Sequence, residues 1–418
     1  MAVETGYSKI VTSGSVFLYD TGDTVNSYKG QPITNQFAVQ GTSGYGAGAD
    51  NAVNFPVQGT VGFVRLGFGQ TFGGYTIQPN DVVYKYPLNV AISGCHYHGN
   101  TASIPAGAYL TFTVDYYISP DTDFSTGNNT TLTVIENYGG GALGGSASMP
   151  NYLKGVWQTV TFTVGPTGSP GTQAMFLYPG SCGGNIATNG YILFRNPRVY
   201  WLNYDVPFVQ GTRSTTQAMI DITGGNTVNL VNMSYGANNA ISFDGTDDYT
   251  SLGNLGTIGN AYSIECVFRS TSVQSYRNVY DMNYSTYNPN TGNVGPRLEQ
   301  FSDNTFNWVW SGNTSSNAVY QYTTPSTLLA NRFYHTVFTL NSGTVNTYKN
   351  GTIQDSNVAS PNGYITTFGD VNVGRGFILD PSRYFAGTVP VFKIYNRALS
   401  ASEVLTNFNH YKTRFNIT

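Results

Sequence analysis

Tyr384–Phe408, YFAGTVPVFKIYNRALSASEVLTNF, decides the fold of this chain. Val389, Val391, Phe392, Ile394 and Tyr395 mix β-branched and aromatic side chains, the composition of a strand. Asn396-Arg397-Ala398 breaks the alternation, and the pattern then turns helical. Ser400 is a good N-cap, and Glu403 three residues on completes an S-x-x-E capping box. Val404, Leu405 and Phe408 fall together on one helical face and are expected to dock it. A strand handing over to one capped helix stands out in a chain that otherwise shows almost no helical periodicity.

The rest of the composition agrees with sheets. Only 10% of the 418 residues are charged, while 49 are Gly, 32 Tyr and 24 Phe. Aromatic and β-branched strands joined by Gly, Asn, Ser and Thr turns give this balance; long amphipathic helices do not. The length points to two or three domains. A net charge of -3 without a basic cluster argues against nucleic acid. No apolar run is long enough to cross a bilayer, so no membrane partner is expected. The opening MAVETGYSKIV lacks the pattern of a secretory signal, which suggests a cytosolic protein or one carried out of the cell in a larger particle. Cys95, Cys182 and Cys266 are too few for a disulfide scaffold; Cys95 and Cys182 could pair, but reduced thiols are expected.

Along the chain, Ser15–Asp20 reads as a strand, followed by a polar turn region to Asn35. Tyr109–Ile118, Thr131–Ile135, Trp157–Val164 and Tyr191–Phe194 alternate with period two, which implies an antiparallel sandwich over residues 36–204. Residues 205–217 carry Pro and Gly and read as a linker. In residues 218–418 the strand patterns include Tyr262–Phe268 and Phe333–Leu340. Lys349-Asn350-Gly351 is a type I′ hairpin signal. The fold class expected is all-β: two antiparallel jelly-roll β-sandwiches with one short C-terminal α-helix.

From Ala218 onward the motifs come in a recognisable order: Asp221-Ile-Thr-Gly-Gly-Asn, Ala240-Ile-Ser-Phe-Asp-Gly-Thr-Asp-Asp-Tyr249, the strands just named, Asn372-Val-Gly-Arg-Gly376, and AGTVPVFKIYNRALSASEV. This series resembles a laminin-G-like (concanavalin A-like) jelly roll. The YNRALS variant resembles structural proteins of tailed bacteriophages, as does S-Y-K-G-x-P-x-T-N near the start. W-x-x-V-x-F-T-V and Y-I-L-F-R-N-P-R-V resemble carbohydrate-binding-module-like sandwiches. The phage resemblance implies a virion protein of capsid, neck or tail, assembled in a host cytoplasm. Its expected partners are other virion proteins, further copies of itself and host surface glycans. It also implies that residues 1–35 include a strand of the C-terminal sandwich, with the first sandwich as an insertion. A separate N-terminal arm is the open alternative.

Enzymes on this sandwich carry paired carboxylates at alternate strand positions. Glu265 stands alone, and Glu299 and Asp303 flank a turn, so no catalytic residue is expected and the protein is read as a non-enzyme. A bacterial surface or secreted glycan-binding protein is the alternative, and a polysaccharide-degrading enzyme a more distant one. His96 and His98 share one side of a strand, but no second ligand pair accompanies them. Tyr284, Tyr287, Trp308 and Trp310 could stack on sugar rings; core packing explains the two tryptophans equally well. Asp244, Asp247 and Asp248 could hold calcium, as related jelly rolls often do at a rim, although a hydrogen-bonded turn explains them too. No other cofactor is expected.

Overall fold

The closing strand forms as Ala386–Tyr395 and is the hub of the C-terminal sandwich. The computed structural model describes residues 10–36, 64–79, 81–88, 99–100, 105–123, 153–168, 174–175, 187–209, 211–236, 241–272, 274–282, 295–301, 303–311, 320–322, 325–360, 364–376 and 382–418. Two units divide the chain, one of residues 1–32 with 214–418 and one of residues 33–213.

In the first unit, the described residues form two large antiparallel sheets and a two-stranded ribbon of Gly256–Thr257 with Thr367–Phe368. The first runs Ser234–Tyr235, Ile241–Asp244, Ala386–Tyr395, Ala261–Ser270, Phe333–Asn341, Thr344–Lys349 and Thr352–Ala359. Ala261–Ser270 covers one edge of the closing strand. Ile241–Asp244 takes only the start of the other edge, at Ala386 and Gly387. Ser15–Asp20 takes the remainder, from Val391 to Tyr395. The N-terminal strand therefore supplies partners that the closing strand would otherwise lack, since unpaired strand edges are costly and adhesive. Asp221 locks it from the side: its carboxylate accepts the Leu18 N–H at 3.0 Å, and the Ile222 N–H donates to the Leu18 carbonyl at 2.8 Å.

The second sheet runs Asn229–Val231, Tyr249–Gly253, Val371–Val373, Arg277–Asp281, Arg297–Phe301, Thr305–Ser311 and Tyr320–Tyr322. Between the sheets lies one apolar cluster, in which Phe17, Ile264, Phe338 and Phe392 of the first meet Tyr280, Leu298 and Trp308 of the second. Cys266 sits there as a free thiol, and burial pushes its pKa up to about 12 despite a hydrogen bond with Thr336.

The terminal helix, Ala401–Phe415, lies on the outer face of the first sheet. Both halves of the capping box are made: Glu403 N–H donates to Ser400 Oγ at 3.3 Å, and Ser400 N–H donates to Glu403 Oε2 at 2.9 Å. The docking face differs from the expected one. Val404, Asn407, Phe408 and Tyr411 are buried, whereas Leu405 is 47% exposed. Spacing of three and four residues sets this stripe, and Leu405 falls just beside it. Asn350-Gly351 makes the expected two-residue hairpin, with positive φ at both positions (50° and 74°), as a type I′ turn requires.

The second unit shows a five-stranded antiparallel sheet among its described residues: Val64–Leu66, Val83–Pro87, Tyr191–Tyr200, Leu110–Ile118 and Trp157–Val164. Arg195 pairs with Asp115 at 3.0 Å and stacks on the rings of Trp157 and Tyr75. Within the stretch expected as a linker, Thr212–Arg213 pairs with Ile33–Thr34, so the chain enters and leaves this unit side by side. Cys95, Cys182, His96, His98 and the strand expected at 131–135 lie outside the described residues.

Candidate functional site

The two tryptophans are a correction. Trp308 faces Leu298 across the strands Thr305–Ser311 and Arg297–Phe301, a register that turns it into the sandwich, and Trp310 follows two residues later. They are 0% and 1% exposed. Trp310 packs edge-on to Phe338 and donates from Nε1 to Ser360 Oγ at 3.1 Å. Rings enclosed on both faces cannot stack on a sugar. Tyr284 and Tyr287 lie outside the described residues.

Asp244, Asp247 and Asp248 come together at the turn after Ile241–Asp244, with one oxygen of each within 4.8 Å of the others. Asp244 and Asp247 are exposed and Asp248 is buried. Asp248 Oδ2 accepts the Asp244 N–H at 2.8 Å and the Ser234 hydroxyl at 3.3 Å, while Asp247 Oδ2 accepts Asn232 Nδ2 at 3.0 Å. Burial raises the Asp248 pKa, with the charges of Asp244 and Asp247 adding to it against the backbone hydrogen bond. An all-oxygen donor set of this kind suits calcium chemically, but these three residues fall short of the roughly six to eight oxygens that calcium takes.

Beneath the terminal helix is a site that the isolated reading of Glu265 missed. Glu265 is 0% exposed. Its Oε1 bonds His335 Nε2 at 2.8 Å, and its Oε2 accepts the Tyr395 hydroxyl and Asn407 Nδ2, each at 2.8 Å. Lys393 Nζ stands 3.5 Å from Oε2. Burial alone would raise the carboxyl's pKa; Lys393, His335 and Tyr395 together overcome that and hold it at about 2. Because an ionised carboxylate only accepts, His335 is assigned with its proton on Nε2. The signal in the sequence was a pair of lone charges, Glu265 and Lys393, each inside an otherwise apolar strand; Asn407, in a mixed helix, carried none.

The outer face of the second sheet is polar as well. Glu299 lies there opposite Asn307, its Oε1 accepting Arg383 Nη1 at 2.9 Å and Arg297 Nε. Asp281 faces Arg297 across the strands, and Asn278 faces Glu299. The Asn278 side-chain amide, 0% exposed, has no hydrogen-bond partner. Gly376 makes room for it, since a Cβ there would fall 2.6 Å from Asn278 Oδ1.

A β-sandwich built around a central antiparallel closing strand and a docked helix thus defines the class of the C-terminal unit. Residues 244–405 of this unit match the family model described as Concanavalin A-like lectin/glucanases superfamily, and the unit carries a concanavalin A-like jelly-roll domain. Among solved structures, the chain is similar to Trypanosoma rangeli sialidase at 14% identity and a TM-score of 0.38, covering 48% of this chain and 31% of that one. It is also similar to the botulinum neurotoxin serotype D binding domain, at 15% and 0.36, covering 47% and 50%. A third likeness is to domain 4 of AbnA, a GH43 extracellular arabinanase from Geobacillus stearothermophilus in complex with arabinotriose, at 16% and 0.36, covering 46% and 91%. At these TM-scores the likenesses carry nothing about this chain's ligand or chemistry. A search of curated proteins found no match.

Proposed function

We propose that this chain is a non-enzymatic structural and adhesion protein of a bacteriophage virion, displaying two β-sandwich modules and binding host surface glycans. The observation that carries the non-enzymatic reading is the placement of the two strand-borne glutamates of the jelly roll. Glu265 is buried under the terminal helix on one sheet, and Glu299 is clamped by Arg297 and Arg383 on the other. Glycoside hydrolysis needs two carboxyl groups flanking one bond, about 5–10 Å apart. The glycan reading draws on the lectin-like family match. The virion reading draws on the likeness of the closing stretch to phage structural proteins, and the side-by-side crossings at Ile33–Thr34 and Thr212–Arg213 suit a displayed insertion. In this reading Asp244, Asp247 and Asp248 would supply part of a calcium ion's oxygen shell, and the ion would brace the rim turn.

The test joins particle proteomics with a polysaccharide panel. The chain is expected in purified particles at a fixed copy number, and it is expected to bind a host polysaccharide without releasing reducing ends. Absence from particles, or release abolished by one Asp or Glu substitution, would overturn the proposal.

A further inference from the structure

The ion pair under the terminal helix is incomplete as an ion pair. A buried ammonium–carboxylate contact is favourable only when further hydrogen bonds satisfy the ammonium. Lys393 has 1% of its side chain exposed, yet Nζ makes no hydrogen bond beyond a long 3.5 Å approach to Glu265. Its surroundings are Glu265 Oε2 at 3.5 Å and the face of Tyr411 at 4.8 Å. Asn407 Nδ2 donates to that same Oε2 and to the Tyr395 hydroxyl, at 2.8 and 3.2 Å. Asn407 Oδ1 accepts the Val11 N–H at 2.8 Å. An amine, a carboxamide and a carboxylate therefore converge on one oxygen in a site closed to water.

We propose that Lys393 and Asn407 join in an intramolecular isopeptide bond after folding, with Glu265 carrying the protons. Glu265 takes one proton from the ammonium, and the amine lone pair attacks Asn407 Cγ. Negative charge develops on Oδ1, where the Val11 N–H already donates. Glu265 passes its proton to Nδ2, the Cγ–Nδ2 bond breaks, and ammonia departs. The second proton shed by the attacking nitrogen returns through Glu265 to the leaving ammonia, so the carboxylate ends ionised. One C–N bond forms, one breaks, and nothing is oxidised or reduced.

Burial lowers the Lys393 pKa toward the attacking amine, with Glu265 opposing it. The same charge holds the Glu265 carboxyl low, so the first transfer is uphill. The product welds the terminal helix to the closing strand and removes the unsatisfied ammonium. It is independent of glycan binding and of virion location.

Intact mass under denaturing conditions, then tandem mass spectrometry of a tryptic digest, tests the bond. The folded full-length protein, incubated for days, is expected one ammonia lighter than its sequence. A branched peptide should join Lys393 to Asn407, with no tryptic cut after Lys393. Asn407→Asp is expected to lose one water instead, whereas Asn407→Ala and Glu265→Gln should give linear peptides. Since Glu265→Gln can also unfold the protein, the wild-type measurement decides alone. Full sequence mass with linear peptides containing Lys393 and Asn407 would overturn the proposal. So would an ammonia loss mapped to another asparagine, such as Asn350 before Gly351.

Discussion

Glu403 serves two partners at the start of the terminal helix, capping the Ser400 N–H and pairing with Arg397 through both oxygens at 2.7 and 2.9 Å. The Arg397 guanidinium is the largest cause of its low pKa, about 2 against an ordinary 4.5. The folded state therefore holds this proton more weakly than the unfolded chain. Its contribution is fully present above pH 4.5 and drains away as the pH falls toward 2. Solvent reaches the pair, so the effect is about 1 kcal/mol or less. Glu265 adds to the loss over the same range. Glu403→Gln is expected to lower stability at neutral pH and to shrink the loss on acidification, as read by denaturant unfolding at several pH values. Unchanged acid sensitivity would contradict the pairing.

At the scale of elements, Phe408 anchors the terminal helix. It is 8% exposed and packs on Gly351 so closely that a Cβ there would fall 2.6 Å from Phe408 Cδ1. Phe408→Ala should destabilise by roughly 3–5 kcal/mol and Ser400→Ala by about 1 kcal/mol, measured as shifts in denaturant midpoint at constant slope. Leu405→Ala, on the exposed side, should stay within about 0.5 kcal/mol. The turn bearing Asp244, Asp247 and Asp248 carries the calcium reading. Calcium is expected to raise the thermal midpoint, EDTA to reverse it, and Asp248→Asn to abolish the response; no response from the wild type would remove calcium from the account. Much at this scale was legible in the sequence: the capping box, the Asn350-Gly351 hairpin and the strand Ser15–Asp20 are local patterns. Which side Trp308 faces was not legible, because i, i+2 spacing describes either face of a strand and register with Leu298 chooses between them. Nor was the convergence of Glu265, His335, Lys393 and Asn407, since it joins residues on two neighbouring strands of the closing strand's sheet, the closing strand and a helix.

At the scale of the whole molecule, the N-terminal strand and the closing strand pair across nearly the full length of the chain. Phe17 and Tyr19 enter the core beside Phe392, and the Tyr19 hydroxyl donates to the Val389 carbonyl at 3.1 Å. A jelly roll completed by both ends of its sequence has the intervening residues 33–213 as an insertion, and inserted units need neighbouring entry and exit points. The paired crossings at Ile33–Thr34 and Thr212–Arg213 meet that need. The central claim is therefore that residues 1–32 and 214–418 are one cooperative unit. Replacing residues 33–213 by a short Gly/Ser linker and following hydrogen exchange tests it most directly. The account predicts a folded protein with one sharp unfolding transition and with the Leu18 and Tyr19 amides as protected as those of the closing strand. An unfolded product, or a folded one in which those amides exchange freely, would contradict it.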